Sequence, residues 1–228
     1  MTGGRVPVDR GLTVSGLSKG FAGPGGWRAL FEGLSFRLPA GARLALLGAN
    51  GAGKSTLLSI LAGTLRADAG TVRTGGRVSW PMGFYGGFAN DLNGIQNARF
   101  VARIHGADTD AVVDFVTEFS ELGADMRLPV RVYSAGMRAR LAFGLSMALD
   151  FDWYLVDEII AVGDQRFRAR AEAHFRDRLT GAGLVMVSHA PAILRQYCSG
   201  AILLSPAGAR VFSDLEEALT VQAGAAMA

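Results

Sequence analysis

The chain has 228 residues, of which half are hydrophobic, and a formal net charge of +3. This length allows one domain with a large buried core. The sequence contains no run of about 18 apolar residues, so we expect no transmembrane helix. The first residues lack the apolar core of a signal peptide, and the single cysteine, Cys198, excludes an internal disulfide and fits a reduced cytosol. The mild positive charge forms no dense basic run, so we expect no nucleic-acid partner.

Alternating apolar residues predict the first two strands, at residues 12–17 and 34–38. A glycine-rich segment at 20–27 lies between them and is predicted to be a loop. It carries two aromatic side chains, Phe21 and Trp27, either of which could stack on an adenine ring. Packing of both side chains on the edge of a sheet is an equally good interpretation, and the sequence leaves the choice open.

The strongest motif follows the apolar run at 44–47 and precedes a helical pattern at 57–61. Its spacing, Gly-x4-Gly-Lys-Ser, is typical of a P-loop, in which glycines let successive backbone N–H groups surround the phosphates of a nucleotide. The N-terminus of the next helix adds further N–H groups and a partial positive charge. The predicted nucleotide-binding residues are Gly48, Ala49, Asn50, Gly51, Ala52, Gly53, Lys54, Ser55 and Thr56.

Two side chains of this motif have specific roles in a P-loop. Lys54 can reach the β- and γ-phosphates, and the Ser55 hydroxyl can bind Mg²⁺, which accepts few protein ligands. Lysine occurs only at positions 19 and 54, and all other basic residues apart from histidine are arginine. The retention of a compact ammonium group at position 54 supports a role for this lysine in phosphate binding.

After the P-loop, short strands are predicted at 70–73 and 76–80, followed by a helical block at about 91–150. Apolar residues recur there at helical spacing, which indicates a helical sub-domain inserted in an α/β domain. His105 and His174 show no metal-binding spacing. We expect a mostly parallel core sheet with antiparallel strands at its edges, near residues 12 and 203.

An acidic pair, Asp157 and Glu158, follows the predicted buried strand 153–156. Acidic groups at such a position are costly without a partner, and in a P-loop protein the partner is the Mg²⁺-nucleotide. Asp157 is then the predicted metal ligand, and Glu158 orients or deprotonates the attacking water. The next strand, 183–187, leads to His189, which could reach a γ-phosphate. Lys54, Glu158 and His189 are therefore the predicted catalytic residues.

The segment 133–137, Tyr-Ser-Ala-Gly-Met, precedes the acidic pair by 23 residues and resembles the signature of ABC ATPases, usually Leu-Ser-Gly-Gly-Gln. The P-loop, this signature, the acidic pair, Asp164 and His189 occur in the order that the family has. The resemblance covers nearly the whole chain. It implies an α/β P-loop ABC ATPase fold over residues 1–228, with bound ATP and Mg²⁺.

Several further segments resemble one branch of that family, the ATP-binding subunits of capsular polysaccharide exporters. They are Ser79-Trp80-Pro81, Gly86-Gly87-Phe88, residues 118–123, residues 133–141 and Ile160-Ala161-Val162-Gly163-Asp164. Membership implies a separate polytopic permease that handles lipid-linked polysaccharide, and a peripheral position on the cytoplasmic face of the inner membrane. Related O-antigen exporters often carry an added C-terminal carbohydrate-binding domain, for which we expect no room here.

The resemblance also implies a homodimer, because the signature of one ABC subunit closes on the nucleotide held by the other. Ser134 and Gly136 would then contact the γ-phosphate across the dimer. Asp164 belongs to the same set of nucleotide-site residues.

One departure from the family pattern concerns the loop 88–90. Family members usually have a glutamine there that touches Mg²⁺ and links the site to the permease, whereas this chain has Phe88-Ala89-Asn90. Ala89 has no ligand atom, so we hypothesise that Asn90 substitutes for it. An Asn90→Ala variant with unchanged ATPase and transport activities would contradict this.

The alternative hypothesis is a soluble ABC-type ATPase that remodels ribosomes or DNA. Such proteins usually contain two nucleotide domains or a long coiled-coil insertion, and this sequence has neither. A GTPase would require an Asn-Lys-x-Asp motif, which two lysines at 19 and 54 do not provide.

Overall fold

The computed structural model describes residues 10–23, 26–82, 88–158, 164–205 and 208–226. The chain divides into two compact units. The first, called here the core unit, comprises residues 1–80, 151–156 and 181–228, and the second, the helical unit, comprises 81–150 and 157–180. The aromatic and glycine residues of the segment 83–87, and residues 160–163 of the family resemblance, lie outside the described residues.

Two sheets organise the strands. The smaller sheet contains β1 (Leu12–Gly23), β2 (Gly26–Leu38) and β4 (Ala69–Thr74), in the antiparallel order β2-β1-β4. The larger sheet contains β3 (Arg43–Gly48), β5 (Val78–Met82), β6 (Trp153–Asp157), β7 (Gly183–Val187), β8 (Gly200–Ser205) and β9 (Gly208–Phe212). Its strand order is β5-β6-β7-β3-β8-β9.

The strand β3 lies inside the larger sheet and leads into the P-loop. It pairs in parallel with β7 and with β8, and β9 then pairs antiparallel with β8. Five of its six residues are buried, which is typical of a parallel strand covered on both faces. The prediction of antiparallel pairing near residue 203 is confirmed, because Leu203 in β8 pairs antiparallel with Arg210 in β9, while β8 also pairs in parallel with β3. The antiparallel edge is β9, one strand later.

Three helices belong to the core unit: α1 (Lys54–Leu61), α6 (Pro191–Tyr197) and α7 (Leu215–Ala226). The helix α1 buries Leu57 and Leu58 completely in the main hydrophobic cluster. Burial of a leucine side chain contributes about 1.5–3 kcal/mol to folding, so these two residues anchor the helix that carries the end of the P-loop.

The predicted loop at 20–27 is mostly strand. β1 continues to Gly23 and β2 starts at Gly26, so the two form a long hairpin in which Ala22 pairs with Trp27. The glycine-rich composition indicated a loop, but the strand pairing continues through these glycines, with Gly20 opposite Ala29 and Gly23 opposite Gly26.

Among its described residues, the helical unit contains four α-helices and two short 3₁₀ helices, Gly123–Arg127 and Val130–Val132. The α-helices are α2 (Gly94–Ile104), α3 (Thr109–Ser120), α4 (Ala135–Ala148) and α5 (Gln165–Arg178). The predicted block at 91–150 covers the first three, whereas α5 also packs here because the Phe167 ring meets the Phe119 ring edge to face at 5.5 Å. In the described part of the chain, no helix combines the length and the apolar character that a membrane span requires.

Candidate nucleotide-binding site

The P-loop connects the end of β3 to the start of α1, and its glycines have backbone conformations that other residues rarely adopt. The φ angles are +147° at Gly48, +78° at Gly51 and +90° at Gly53. A Cβ atom on Gly48 would lie 2.8 Å from the Leu204 carbonyl oxygen. The close approach of the loop to β8 therefore requires glycine at position 48.

The N-terminus of α1 has the features of an anion site. Its N-cap is Gly53, no side chain caps the helix, and no acidic residue lies in the first turn. Backbone N–H groups at the start of a helix and the helix dipole together favour a phosphate group. This arrangement fits the predicted binding of ATP phosphates. Ser55 lies exposed in the first turn, where its hydroxyl can serve a metal ion.

Lys54 folds back over the P-loop. Its Nζ donates hydrogen bonds to the carbonyl oxygens of Gly48, at 2.9 Å, and Ala49, at 3.0 Å. The ammonium group is thus held by the same loop whose N–H groups face the phosphates in a P-loop protein. The position agrees with a lysine that contacts the β- and γ-phosphates.

His189 and Lys54 line one cavity of about 120 Å³, together with Gly48. Pockets that take whole small molecules measure roughly 300–1,000 Å³, so this one accommodates a phosphate-sized group or water. Helix α7 contributes Leu219 and Gln222 to the lining. Neither residue was predicted from the sequence. Helix α7 contains no motif, and both residues lie 30 or more positions after His189, the last predicted site residue.

Phe21 and Trp27 lie on the β1–β2 hairpin, with 46% and 63% of their surfaces exposed. Lys19 Nζ lies 5.2 Å from the centre of the Phe21 ring, a cation–π contact. Neither side chain is buried, although the Trp27 ring lies over Gly20 of β1, where an added Cβ would lie 2.7 Å from Trp27 Cε2. Adenine stacking by either ring stays a prediction.

The signature residues lie at the start of α4, in the helical unit. Ser134 is the N-cap, and its Oγ accepts a hydrogen bond from Met137 N at 3.2 Å. A Cβ on Gly136 would find only Ser134 Oγ nearby, at 3.9 Å. The Arg138 guanidinium donates two hydrogen bonds to the Tyr133 carbonyl, at 3.1 Å and 2.9 Å, and fixes the backbone that precedes Ser134.

The acidic residues also belong to the helical unit. Asp157 ends β6, and Glu158 follows it in a left-handed conformation with φ of +51°. A non-glycine residue in this region stores backbone strain, and such residues cluster at functional sites. Asp164 is the N-cap of α5 and accepts a hydrogen bond from Phe167 N at 2.9 Å. The Phe167 N–H and the Arg140 guanidinium lower the pKa of the Asp164 carboxyl.

The loop that departs from the family pattern is held by a buried amide. Asn97 is fully buried, and its side chain binds both the N–H and the carbonyl of Ala89. The carbonyl of Asn90 accepts a hydrogen bond from Arg131 N at 2.9 Å, and the Asn90 side chain is exposed. Substitution of Asn90 for the absent glutamine stays a prediction.

Within the described ranges, no three His, Cys, Asp or Glu residues gather as a metal cluster. Mg²⁺ in P-loop proteins needs no such cluster, because phosphate and water supply most of its ligands. Ser55 and Asp157 offer the hard oxygen donors that Mg²⁺ prefers, and their assignment to the metal stays a prediction.

Comparison with known proteins gives consistent results. The family model described as ABC transporter matches residues 31–161. The polysialic acid transport ATP-binding protein KpsT of Escherichia coli is 44% identical over 211 residues, which are 91% of this chain and 96% of the relative. The capsule polysaccharide export ATP-binding protein CtrD of Neisseria meningitidis is 40% identical, over 91% of this chain and 96% of the relative. The ATP-binding protein BexA of Haemophilus influenzae is 38% identical over 91% and 95%.

Solved structures support the fold. The ATP-binding subunit of an ABC transporter superposes with a TM-score of 0.75 at 19% identity, covering 92% of this chain and 94% of that one. A dimeric ATP-binding cassette in a post-hydrolysis state, bound to ADP and phosphate, gives a TM-score of 0.73 at 14% identity, covering 90% and 98%.

Proposed function

This chain belongs to the ATP-binding subunits of ABC transporters, and on that premise we propose that it hydrolyses ATP to export capsular or related lipid-linked polysaccharide. A separate polytopic permease forms the path for the polymer. The observation that carries the proposal is the near-full-length similarity to capsule export ATPases, at 38–44% identity. These relatives favour transport over the remodelling of ribosomes or DNA. The protein then acts at the cytoplasmic face of the inner membrane.

The P-loop supports the nucleotide part of the proposal. Its glycines adopt the conformations described above, and Lys54 holds its ammonium group on the loop. ATP phosphates bind to the backbone N–H groups at the start of α1 and to Lys54. Ser55 and Asp157 would hold Mg²⁺, which neutralises charge on the phosphates when bound. The rings of Phe21 and Trp27 offer stacking surfaces for adenine.

Hydrolysis proceeds by in-line attack of water on the γ-phosphate. Glu158 orients or deprotonates the water, and Lys54 and His189 stabilise the charge on the transferred group. The shared cavity of Lys54 and His189 supports this assignment for the two residues.

Two copies of the chain are needed for a complete site. Ser134 and Gly136 of one copy contact the nucleotide of the other, and the first turn of α4 offers backbone N–H groups besides that of Met137, which the Ser134 side chain caps. ATP binding closes the dimer and hydrolysis opens it, and the permease converts this cycle into alternating access.

A turnover experiment tests the enzymatic part. The Glu158→Gln variant should bind ATP but hydrolyse it about 10²–10⁴ times more slowly, and it should accumulate as an ATP-bound dimer in size-exclusion chromatography. Glu118 is exposed on α3 and serves as the matched control, because Glu118→Gln removes the same charge elsewhere. Rapid turnover by the Glu158→Gln variant would overturn the role given to this residue.

A pull-down from detergent-solubilised membranes of the native host, with and without ATP, tests the transport part. Recovery of a polytopic permease with the tagged protein is the expected result. Recovery of ribosomal proteins or nucleic acid instead would retain the ATPase chemistry and contradict the export function.

A further inference from the structure

The first residue of the signature carries a buried phenol that forms hydrogen bonds on two sides. Tyr133 is only 2% exposed, and its hydroxyl donates a hydrogen bond to the carbonyl oxygen of Asp125 at 2.7 Å. The same hydroxyl oxygen accepts a hydrogen bond from Gly94 N. Burial raises the pKa of Tyr133, so the phenol keeps the proton that it donates. A leucine, which the usual signature has at this position, could make neither bond.

The hydrogen bond from Gly94 satisfies a backbone group at the start of α2. The first N–H groups of a helix have no partner within the helix, and a buried N–H group without a partner is costly. Gly94 is the first residue of α2 and is buried. A Cβ atom on Gly94 would lie 2.8 Å from Tyr133 Oη and 2.8 Å from Met126 Sδ. The phenol oxygen therefore packs directly on the backbone of α2, and this contact requires glycine at position 94.

Backbone hydrogen bonds join the same two segments just before the signature. Val130 N donates to the Leu92 carbonyl and Arg131 N donates to the Asn90 carbonyl, both at 2.9 Å. The Tyr133 hydroxyl extends this pairing to the residue that precedes the N-cap of α4. The start of the signature and the loop before α2 therefore belong to one hydrogen-bonded block within the helical unit.

We propose that Tyr133 is a positioning residue, whose hydroxyl fixes the signature serine, Ser134, against the start of α2. The proposal rests on the proposed function, in which Ser134 meets the nucleotide held by the other copy. Ser134 is the N-cap of α4, so the backbone of Tyr133 sets the entry of the chain into that helix. Because the Asn90 carbonyl belongs to the same block, a displacement of the loop 88–90 is passed on to Ser134.

The first test measures hydrogen–deuterium exchange of backbone amides in the absence of nucleotide. Tyr133→Phe keeps the buried ring and removes only the hydroxyl. The net contribution of one hydrogen bond corresponds to roughly 2-fold to 10-fold in an opening equilibrium. Exchange at Gly94 and at Met137, in the first turn of α4, should therefore accelerate by about that factor, whereas the core unit should not change. Unchanged exchange at Met137 would overturn the positioning role.

A second buried tyrosine provides the matched control. Tyr197 lies at the end of α6 in the core unit and is 6% exposed. Tyr197→Phe makes the same chemical change at a comparably buried position, so it reproduces any general loss of stability. It should leave the exchange at Gly94 and Met137 unchanged. Equal acceleration at these amides in both variants would show a global effect and overturn the positioning role.

The second test measures ATP-dependent dimerisation by analytical ultracentrifugation in the slowly hydrolysing Glu158→Gln background. Adding Tyr133→Phe should weaken the dimer by roughly 2-fold to 10-fold, the range of one hydrogen bond, because Ser134 is no longer held in one place. The affinity of the monomer for ATP should not change, because the P-loop lies in the core unit. Adding Tyr197→Phe should change neither quantity. An unchanged dimerisation constant with Tyr133→Phe would overturn the proposal.

The two tests separate this proposal from the proposed function. A Glu158→Gln protein that binds ATP without forming dimers would contradict the proposed function, in which two copies share each site. Deuterium exchange in Tyr133→Phe needs neither ATP nor a dimer. The exchange at Met137 would then decide by itself whether the Tyr133 hydroxyl holds the signature in place.

Discussion

The side-chain amide of Asn97 hydrogen-bonds both backbone polar groups of Ala89, with Oδ1 accepting from Ala89 N at 3.0 Å and Nδ2 donating to Ala89 O at 3.2 Å. Nδ2 also donates to the carbonyls of Leu92 and Asn93, at 3.2 Å and 3.0 Å. Asn97 thus holds the loop 88–90 in place, and it does so through the backbone. The side chain at position 89 is not needed to hold that loop.

Replacement of Asn97 should destabilise the protein. Asn97→Ala leaves buried backbone groups without partners, at a cost of about 1–3 kcal/mol in the free energy of unfolding. Asn97→Asp has the same shape but brings a carboxylate against three carbonyl oxygens. This variant should therefore lose more unfolding free energy than Asn97→Ala. Urea unfolding followed by circular dichroism measures both. Arg99 is exposed on the same helix, and Arg99→Ala should stay within about 0.5 kcal/mol of wild type; similar losses at both positions would contradict the prediction.

The Arg140 guanidinium bridges two acidic residues, with Nη1 at 3.2 Å from Glu121 Oε2 and Nη2 at 3.1 Å from Asp164 Oδ2. It also lies 4.8 Å from the centre of the Phe167 ring. Only 20% of the Arg140 side chain is exposed, so the pairing is screened less than a surface pair. A double-mutant cycle with Arg140→Met and Glu121→Gln should give a coupling energy of about 1 kcal/mol.

The pair Arg176–Glu172 is the internal control for that cycle. It is an i,i+4 pair on α5 with both side chains well exposed, and such pairs contribute about 0.3–0.5 kcal/mol. The same cycle at this pair, in urea at low salt, should therefore give the smaller value. Equal coupling energies at the two pairs would show that the bridge adds nothing beyond a surface contact.

Asp68 should contribute a pH-dependent part of the stability. Its carboxylate accepts hydrogen bonds from Lys19 Nζ and from Gly20 N, both at 2.8 Å, and these two bonds lower the pKa of Asp68. A carboxyl group with a depressed pKa in the folded state stabilises the protein above its ordinary pKa, and this contribution is lost as the pH falls through the depressed value. Asp68→Asn should therefore be less stable than wild type near neutral pH.

The difference in unfolding free energy between Asp68→Asn and wild type should shrink as the pH is lowered below about 4. Urea titrations at a series of pH values measure it. Asp114 is exposed on α3, and Asp114→Asn should give a small, pH-independent difference. If the difference in unfolding free energy between Asp68→Asn and wild type stayed constant across the acid range, the stabilising role of the Lys19 and Gly20 contacts would be contradicted.

Two P-loop glycines should respond differently to alanine. At Gly51 an added Cβ meets no atom within 4 Å, so Gly51→Ala introduces only the strain of a positive φ, about 1–2 kcal/mol. At Gly48 the added Cβ would also lie 2.8 Å from the Leu204 carbonyl oxygen, which adds a steric cost of about 1–3 kcal/mol. Thermal unfolding and calorimetric titration with ATP should both rank Gly48→Ala as the more damaged variant. The reverse order would contradict the approach of the loop to β8.

The sequence predicted those features that depend on local spacing. Gly48, Gly53 and Lys54 follow a fixed pattern, because phosphate binding needs glycine conformations and one ammonium group at set intervals. The apolar residues of α3 recur at helical spacing because one face of that helix is buried, whereas α4 is buried on several sides, from Leu141 to Met147. The role of the other lysine, Lys19, is seen only in the structure. Its Nζ pairs with Asp68, which lies 49 residues away in the sequence.

The features that the sequence did not predict depend on contacts between distant segments. The parallel pairing of β8 with β3 joins residues more than 150 positions apart, and alternation of apolar residues carries no information on strand direction. Asn97 is a single polar residue inside a helical pattern, so its burial follows from the fold of residues 89–93 around it. Through the packing of α7 on β3, for which the sequence contains no signal, Gln222 reaches the cavity that His189 also lines.

The hydrogen bonds of Lys54 to Gly48 and Ala49 have a consequence for the affinity of the site. A nucleotide that enters does not meet a solvated lysine, because the ammonium group already has two carbonyl partners. An ammonium group has three N–H donors, so one remains for a phosphate oxygen, and any further phosphate contact must replace a carbonyl partner. The side chain is also ordered beforehand, which reduces the conformational entropy lost on binding. Selectivity for a triphosphate over a diphosphate then depends on how far the Nζ must move from those carbonyls to reach the last phosphate.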